Sequence, residues 1–271
     1  MPKIMGVINL TPDSFYAASR VVPDRSAAAT ASRMVSEGAD MLDLGGESTR
    51  PGSEPVPLEE ECRRVLPAVE AVASSVSVPI SIDTTKAEVA RRARRSGAGI
   101  LNDISALRAD PAMLREALEY PRVILMHMRG APKTMQENPV YGDVVADIRD
   151  FFEERLGAFE RAGGDPSRVI LDPGIGFGKT LEHNLDILRR LEELRALGRP
   201  LALGVSRKSF IGGLLDEGGG PPPPEERLEG SLAAACRAAW AGVDVIRTHD
   251  VLATRRALTA FSAMEPAGRE S

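Results

Sequence analysis

The chain has 271 residues, 43% hydrophobic and 27% charged, with a net charge of −5 at pH 7. That balance allows a sizeable core and excludes a generally basic surface for nucleic acid or anionic membranes, so an anionic ligand needs a local cluster of cations. No run of 18 or more apolar residues exists, the opening residues 1–10 turn polar too early for a secretory leader, and Cys62 and Cys236 sit in helical patterns as small apolar residues; a cytoplasmic protein that spans no membrane is expected.

Eight short apolar runs follow in order, each ending in polar residues, with a helical pattern between one run and the next. Residues 4–8 end at Asn9 and open a long loop through Thr11-Pro12-Asp13-Ser14-Phe15. A helix stopping at Gly38 leads to residues 41–44, which end at Gly46-Glu47-Ser48 and a second long loop. Leu58, Cys62, Val65, Val69, Val72 and Val76 then form one buried helical stripe, which Pro67 is expected to kink. Residues 79–82 end at Asp83-Thr84, and 99–101, after the helix stop at Gly97, end at Asn102-Asp103. Asp110-Pro111 reads as a helix N-cap with proline at the first helical position. Residues 123–126 end at His127, before a polar loop over 130–141. Residues 169–171 end at Asp172-Pro173-Gly174 and 201–205 at Ser206-Arg207-Lys208. The Gly/Pro stretch 218–224 reads as a surface loop in the seventh unit. After Gly242, residues 243–246 end at Arg247-Thr248-His249-Asp250, and the tail 265–271 is expected to fray.

Short, non-alternating apolar runs are the pattern of parallel strands buried on both faces. Eight of them alternating with helices predict an α/β fold, a single (β/α)8 TIM barrel over residues 1–271 with long loops after strands one, two and five. About 250 residues is the usual size of one such domain. The barrel brings all eight tips to one face, so scattered polar residues become one pocket.

Asp83, Asn102 and Asp172 then converge. Two carboxylates and an amide suit a flat heterocycle with an amide or amidine edge, because a carboxylate accepts two parallel N–H bonds and Asn both donates and accepts. Each alone could equally cap the following helix. Ser206-Arg207-Lys208-Ser209 and Arg247-Thr248-His249-Asp250 fall at the corner where barrels commonly bind phosphate, and read as an anion clamp rather than a solvated charge run. The stretch Asp172 to Thr180 imitates a phosphate-binding P-loop, but Pro173 stands where its first glycine is required. His127 reads as structural or as pocket wall beside Met126 and Met128, and His183 as a helix-surface residue. Three histidines without metal spacing argue against zinc.

The motifs NLTPDSF, DLGGESTRPGSEPV, SIDT, LNDIS, LMHM with PKTMQ, LDPGIGFGK, SRKS and RTHDV occur together and in order. As a set they resemble bacterial dihydropteroate synthase over nearly the whole chain. The resemblance implies a (β/α)8 homodimer, joined through late helices, that condenses 6-hydroxymethyl-7,8-dihydropterin diphosphate with 4-aminobenzoate to give 7,8-dihydropteroate and pyrophosphate. It implies that Asp83, Asn102, Asp172 and Lys208 bind the pterin, with Met126 and Ile104 as apolar walls. Arg247, His249, Thr49 and Asn9 would hold the diphosphate, Asn9 also ligating Mg2+. Thr49, Arg50 and Pro51 would close over the reacting centre, Pro51, Phe177 and Ser209 would place the aminobenzoate, and Thr49, Arg50, Asp83 and Lys208 form the implied catalytic set. One departure stands out: Tyr16-Ala17-Ala18-Ser19 replaces the family's Asp-Gly-Gly turn, which bears on closure of the loop. Two other readings share parts of the pattern: a methyltetrahydrofolate:corrinoid methyltransferase barrel, which needs neither the STRPG loop nor the RTHD clamp, and a non-catalytic pterin-binding paralogue.

Overall fold

The computed structural model describes residues 1–11, 23–49, 52–130 and 133–264. The expectations for Tyr16–Ser19, Arg50, Pro51 and the tail 265–271 lie outside them. Eight parallel strands run in the order β6-β5-β4-β3-β2-β1-β8-β7. They are β1 (Lys3–Asn9), β2 (Met41–Gly45), β3 (Ile80–Asp83), β4 (Ile100–Asp103), β5 (Arg122–Met126), β6 (Val169–Asp172), β7 (Ala202–Gly204) and β8 (Val245–Thr248). A bridge between Leu171 and Leu201 joins β6 to β7 and closes the barrel. The Leu171 N–H donates to Pro200 O at 2.9 Å beside it.

The outer ring contains α1 (Pro23–Ser36), α2 (Leu58–Ala73), α3 (Ala87–Arg95), α4 (Met113–Ala117), α5 (Val144–Arg161), α6 (Leu181–Arg189), α7 (Leu191–Arg195), α8 (Ser209–Leu214), α9 (Leu228–Trp240) and α10 (Val251–Met264). Helix α2 buries Cys62, Val65, Val69 and Val72 as its spacing predicts, and runs unbroken through Pro67. Val76 falls beyond its end. Helix α4 starts at Met113, two residues later than Asp110-Pro111 suggested. The helix N-cap is Ala112, without a side-chain cap; the Asp110 carboxylate instead accepts from Ala112 N–H in the turn before α4 and from Ala87 N–H at the start of α3, each at 2.9 Å. Gly38, Gly97 and Gly242 each hold a positive φ at a helix stop, a conformation that L side chains rarely adopt.

Strand period sorts the core into two sets. Ile4, Leu42, Leu44, Ile82, Leu101, Leu125, Leu171, Leu203 and Ile246 belong to the cluster shared with the helices. Their alternates Met5, Met41, Ile100, Ile124, Ile170, Ala202 and Val245 form a separate cluster inside the barrel. That interior layer is packed floor, so a ligand has access only above it, at the C-terminal ends of the strands.

Candidate active site

Two residues beyond the floor, each strand again faces inward. From Met41, Ser81, Ile100, Ile170 and Val245 this step reaches Asp43, Asp83, Asn102, Asp172 and Arg247. A polar layer therefore sits directly on the apolar one. Asp43 is fully buried; its Oδ2 accepts from Arg247 Nε at 2.6 Å and from Asn102 Nδ2 at 3.1 Å. The same guanidinium donates through Nη2 to Asp83 Oδ2 at 2.9 Å. One cation thus serves two carboxylates from different strands, and 23% of its side chain stays exposed for a ligand entering from the mouth.

Across the mouth, Asp172 Oδ1 accepts from Gly174 N–H at 2.8 Å. Lys208 precedes α8, and its Nζ donates to Ile175 O at 2.5 Å and stands 4.7 Å from the centre of the Phe177 ring. Ile104, Met126, Met128 and Met135 form an apolar cluster with Phe177 against it. An apolar wall, acceptors at the strand ends and a lysine beside them are groups that suit a flat, polar-edged ring.

Burial sets the electrostatics. It pushes the Asp83 carboxyl up to about 7, reinforced by Asp43 and opposed by Arg247. Asp172 is raised for the same reason, with Lys208 opposing. Lys208 is brought down to about 8 by burial, against the pull of Asp172. Arg247 loses solvation too, but Asp43 and Asp83 outweigh that loss and raise it.

At the rim, His249 Nε2 lies 3.3 Å from Asn9 Nδ2, and its Nδ1 lies 3.0 Å from Ser206 Oγ. With the Asn9 amide nitrogen as donor, Nε2 accepts and Nδ1 faces the Ser206 hydroxyl. Thr49 is half-buried on the loop after β2. Ser209, exposed, begins α8. Arg207 departs from the expected clamp. It adopts a positive φ, and its guanidinium grips Asp250 through Nε at 2.8 Å and Nη2 at 2.7 Å while Nη1 donates to the carbonyls of Pro224 and Glu225. Arg207 fastens the seventh unit to the eighth; among the described residues, Lys208 and Arg247 are the cations at the mouth.

Two residues escaped sequence reasoning. Asp43 lies two residues short of the end of its strand rather than at the tip; an acid within the run Met41-Leu42-Asp43-Leu44 was the available signal. Lys179 is buried, with Nζ 3.0 Å from His127 Nδ1 and donating to the carbonyls of Gly174 and Phe177 at 3.0 Å and of His127 at 3.3 Å. Burial, then Lys179, depresses His127 to about 2, so its ring is neutral and Nδ1 accepts. His127 and Lys179 brace the loop that carries Phe177. Nothing in the sequence distinguished Lys179 from a surface lysine beyond its place after Gly178.

Fold and site together define a barrel enzyme whose strand ends carry a buried polar layer, with Arg247 and Lys208 as cations and an apolar wall beside them. The family model described as "Pterin binding enzyme" matches residues 5–249. A dihydropteroate synthase of Synechocystis sp. is 47% identical over 249 residues, 92% of this chain and 85% of the relative. The Xanthomonas albilineans dihydropteroate synthase solved with 4-aminobenzoic acid superposes with a TM-score of 0.90 at 44% identity, covering 98% of this chain and 94% of the other. In complex with 7,8-dihydropteroate, that species' enzyme gives a TM-score of 0.86 at 41% identity over 98% and 95% of the two chains. The chain belongs to the pterin-binding enzyme family, among the dihydropteroate synthases.

Proposed function

We propose that this chain joins 6-hydroxymethyl-7,8-dihydropterin diphosphate to 4-aminobenzoate, forming 7,8-dihydropteroate and releasing pyrophosphate, with the polar layer above the barrel floor as its pterin site. The observation that carries this assignment is the meeting of Asp43, Asp83, Asn102 and Arg247 from four strands, opposite Asp172 and Lys208. The carboxylates accept the N–H groups of the pterin edge, Asn102 supplies both a donor and an acceptor, and Met126 and Phe177 flank the ring. Arg247, His249, Thr49 and Asn9 receive the diphosphate at the rim. Pro51, Phe177 and Ser209 place the aminobenzoate, and Arg50 closes over it with Thr49.

The chemistry follows from these positions. The methylene C–O bond breaks, its electron pair leaves with the diphosphate, and the cation left on the methylene is delocalised into the dihydropterin ring. Arg247 stabilises the departing charge. Asp83, once ionised, stabilises the spreading positive charge. The aromatic amine attacks the methylene carbon, and the resulting anilinium releases its proton to solvent. No covalent bond to the chain is required.

Mg2+ belongs to the proposal as an ion that Asn9 would help to hold. Among the described residues no group of three or more His, Cys, Asp or Glu side chains gathers to hold a metal. Asn9 turns its amide nitrogen to His249, leaving one hard oxygen donor beside the rim. That donor set fits a cation that keeps several waters and takes its remaining ligands from phosphates. When bound, Mg2+ would neutralise charge on the diphosphate. We further propose a cytoplasmic homodimer. No helix among the described residues is long and apolar enough to cross a membrane, and both cysteines are free, which suits a reducing compartment.

The test is product formation by purified protein from dihydropterin diphosphate and labelled 4-aminobenzoate, with and without Mg2+. Mg2+-dependent labelled dihydropteroate is expected. Folded protein that binds pterin but yields no product would overturn the assignment in favour of a pterin-binding paralogue.

A further inference from the structure

Below the loop after β2 lies a charge cluster that the proposed chemistry does not use. Glu61, on the first turn of α2, is completely buried, an unusual place for a carboxylate. Thr84 Oγ1 donates to its Oε1 at 2.7 Å, and Lys86 Nζ donates to its Oε2 at 2.6 Å. The same ammonium donates to Glu47 Oε2. Glu47 is the second residue after β2 ends, and Ser48 and Thr49 follow it directly. Arg64, one turn along α2 from Glu60, donates to Gly46 O at 2.9 Å and to Glu60 at 2.7 Å. Ser53 Oγ returns to Ser48 O at 2.6 Å.

The root of this loop is therefore gripped from outside the barrel, by α2 and by the turn after β3. That turn begins at Thr84, the residue after Asp83. Burial alone would lower the Lys86 ammonium, but its bonds to Glu47 and Glu61 raise it, so the cation persists at neutral pH. A buried carboxylate held by one threonine and one lysine has two discrete states, paired or unpaired, and the second is costly. The tether is correspondingly stiff.

We propose that Lys86, anchored on Glu61, is a positioning residue: through Glu47 it fixes the root of the loop that carries Thr49 over the reacting centre. The inference rests on the synthase reading and adds a group outside the pocket to it. It makes the β3 end a common origin for the pterin-facing Asp83 and the loop that covers the substrate, so both keep one register. Misplacing a positioning loop by about 1 Å lowers turnover by up to about 100-fold while leaving the ground-state complex nearly intact.

Glu47→Ala tests this without disturbing the buried Glu61–Lys86 pair. The expected result is a fall in kcat of about 10- to 100-fold, with calorimetric affinity for dihydropterin diphosphate changed less than about twofold and an unchanged melting temperature. Glu47→Gln, which keeps a hydrogen bond to Lys86, should recover part of kcat. In a Lys86→Met/Glu61→Gln background, where no buried charge is left unpaired, Glu47→Ala should cause no further loss. The proposal is overturned if Glu47→Ala turns over like an active wild type, or if kcat falls only in step with melting temperature or pterin affinity. An inactive wild type would instead strike at the synthase reading itself, and calorimetry on the Glu47 variant would still show whether the pterin pocket is intact.

Discussion

Arg247 is where stability and function meet in one side chain. It neutralises fully buried Asp43 and buried Asp83 and still presents surface to the mouth. Arg247→Ala removes the counter-ion of two buried carboxylates, so urea unfolding should show a loss of about 3–5 kcal/mol. Affinity for the diphosphate substrate should weaken by about 2–5 kcal/mol in calorimetry. A variant as stable as wild type would show that Asp43 does not depend on this cation. The titration of Asp83 and Lys208 predicts a narrow pH optimum. Asp83, raised to about 7, must lose its proton to stabilise the pterin cation, so kcat/KM should climb through that pH. Lys208, lowered to about 8, must keep its proton to bind the ring, so kcat/KM should fall above that pH. Asp172, also raised, strengthens the acid limb. Lys208→Arg should move the alkaline limb beyond the measurable range, because guanidinium does not titrate there. A flat profile from pH 6 to pH 9 would refute both assignments.

At the scale of elements, the loop after β6 depends on glycine at two close approaches, Gly174 and Gly178. Gly174 has φ +67°, and a Cβ there would lie 2.0 Å from His127 O. Backbone cannot yield as a flexible side chain does, so Gly174→Ala must separate the β5 and β6 tips. That displaces the Gly174 N–H from Asp172 and the Gly174 carbonyl from Lys179. We expect a loss of more than about 2 kcal/mol in thermal unfolding, where strain at a special φ is among the large mutational effects, and a sharp loss of pterin affinity. Unchanged affinity would show that the loop adapts around Asp172. The strands carry a related lesson. Reading each strand to its last apolar residue stopped several too early, because ladder pairing continues into the polar residues, as with Asp83 opposite Asn102 and Met126 opposite Asp172. Asp43, Asp83, Asn102, Asp172 and Arg247 sit on regular strand geometry rather than on loops, which gives them fixed directions.

For the whole molecule, α9 and α10 leave Trp240 43% exposed and Leu252 40% exposed, with the Trp240 ring edge-on to Phe261 at 6.3 Å. Large apolar side chains on two adjacent late helices are what a homodimer would cover. Sedimentation equilibrium should return the mass of two chains for wild type and of one chain for Trp240→Glu. Equal masses for the two would remove this face from the interface.

The sequence by itself determined the barrel, because eight apolar runs of strand length, each closed by a polar tip and separated by helical spacing, have few other ways to bury both strand faces. It also determined which tips could meet: Asp83, Asn102, Asp172, Lys208 and Arg247 were legible as residues out of place beside apolar runs. Only the tertiary structure decided how they pair. Arg207 and Arg247 look alike in sequence, yet a positive φ turns the first toward Asp250 while strand period turns the second into the barrel. Asp43 and Lys179 became visible only once eight strands and their loops were closed around them. Periodicity reports which way a side chain faces, whereas the partner it finds there comes from a strand or loop that can lie two hundred residues away.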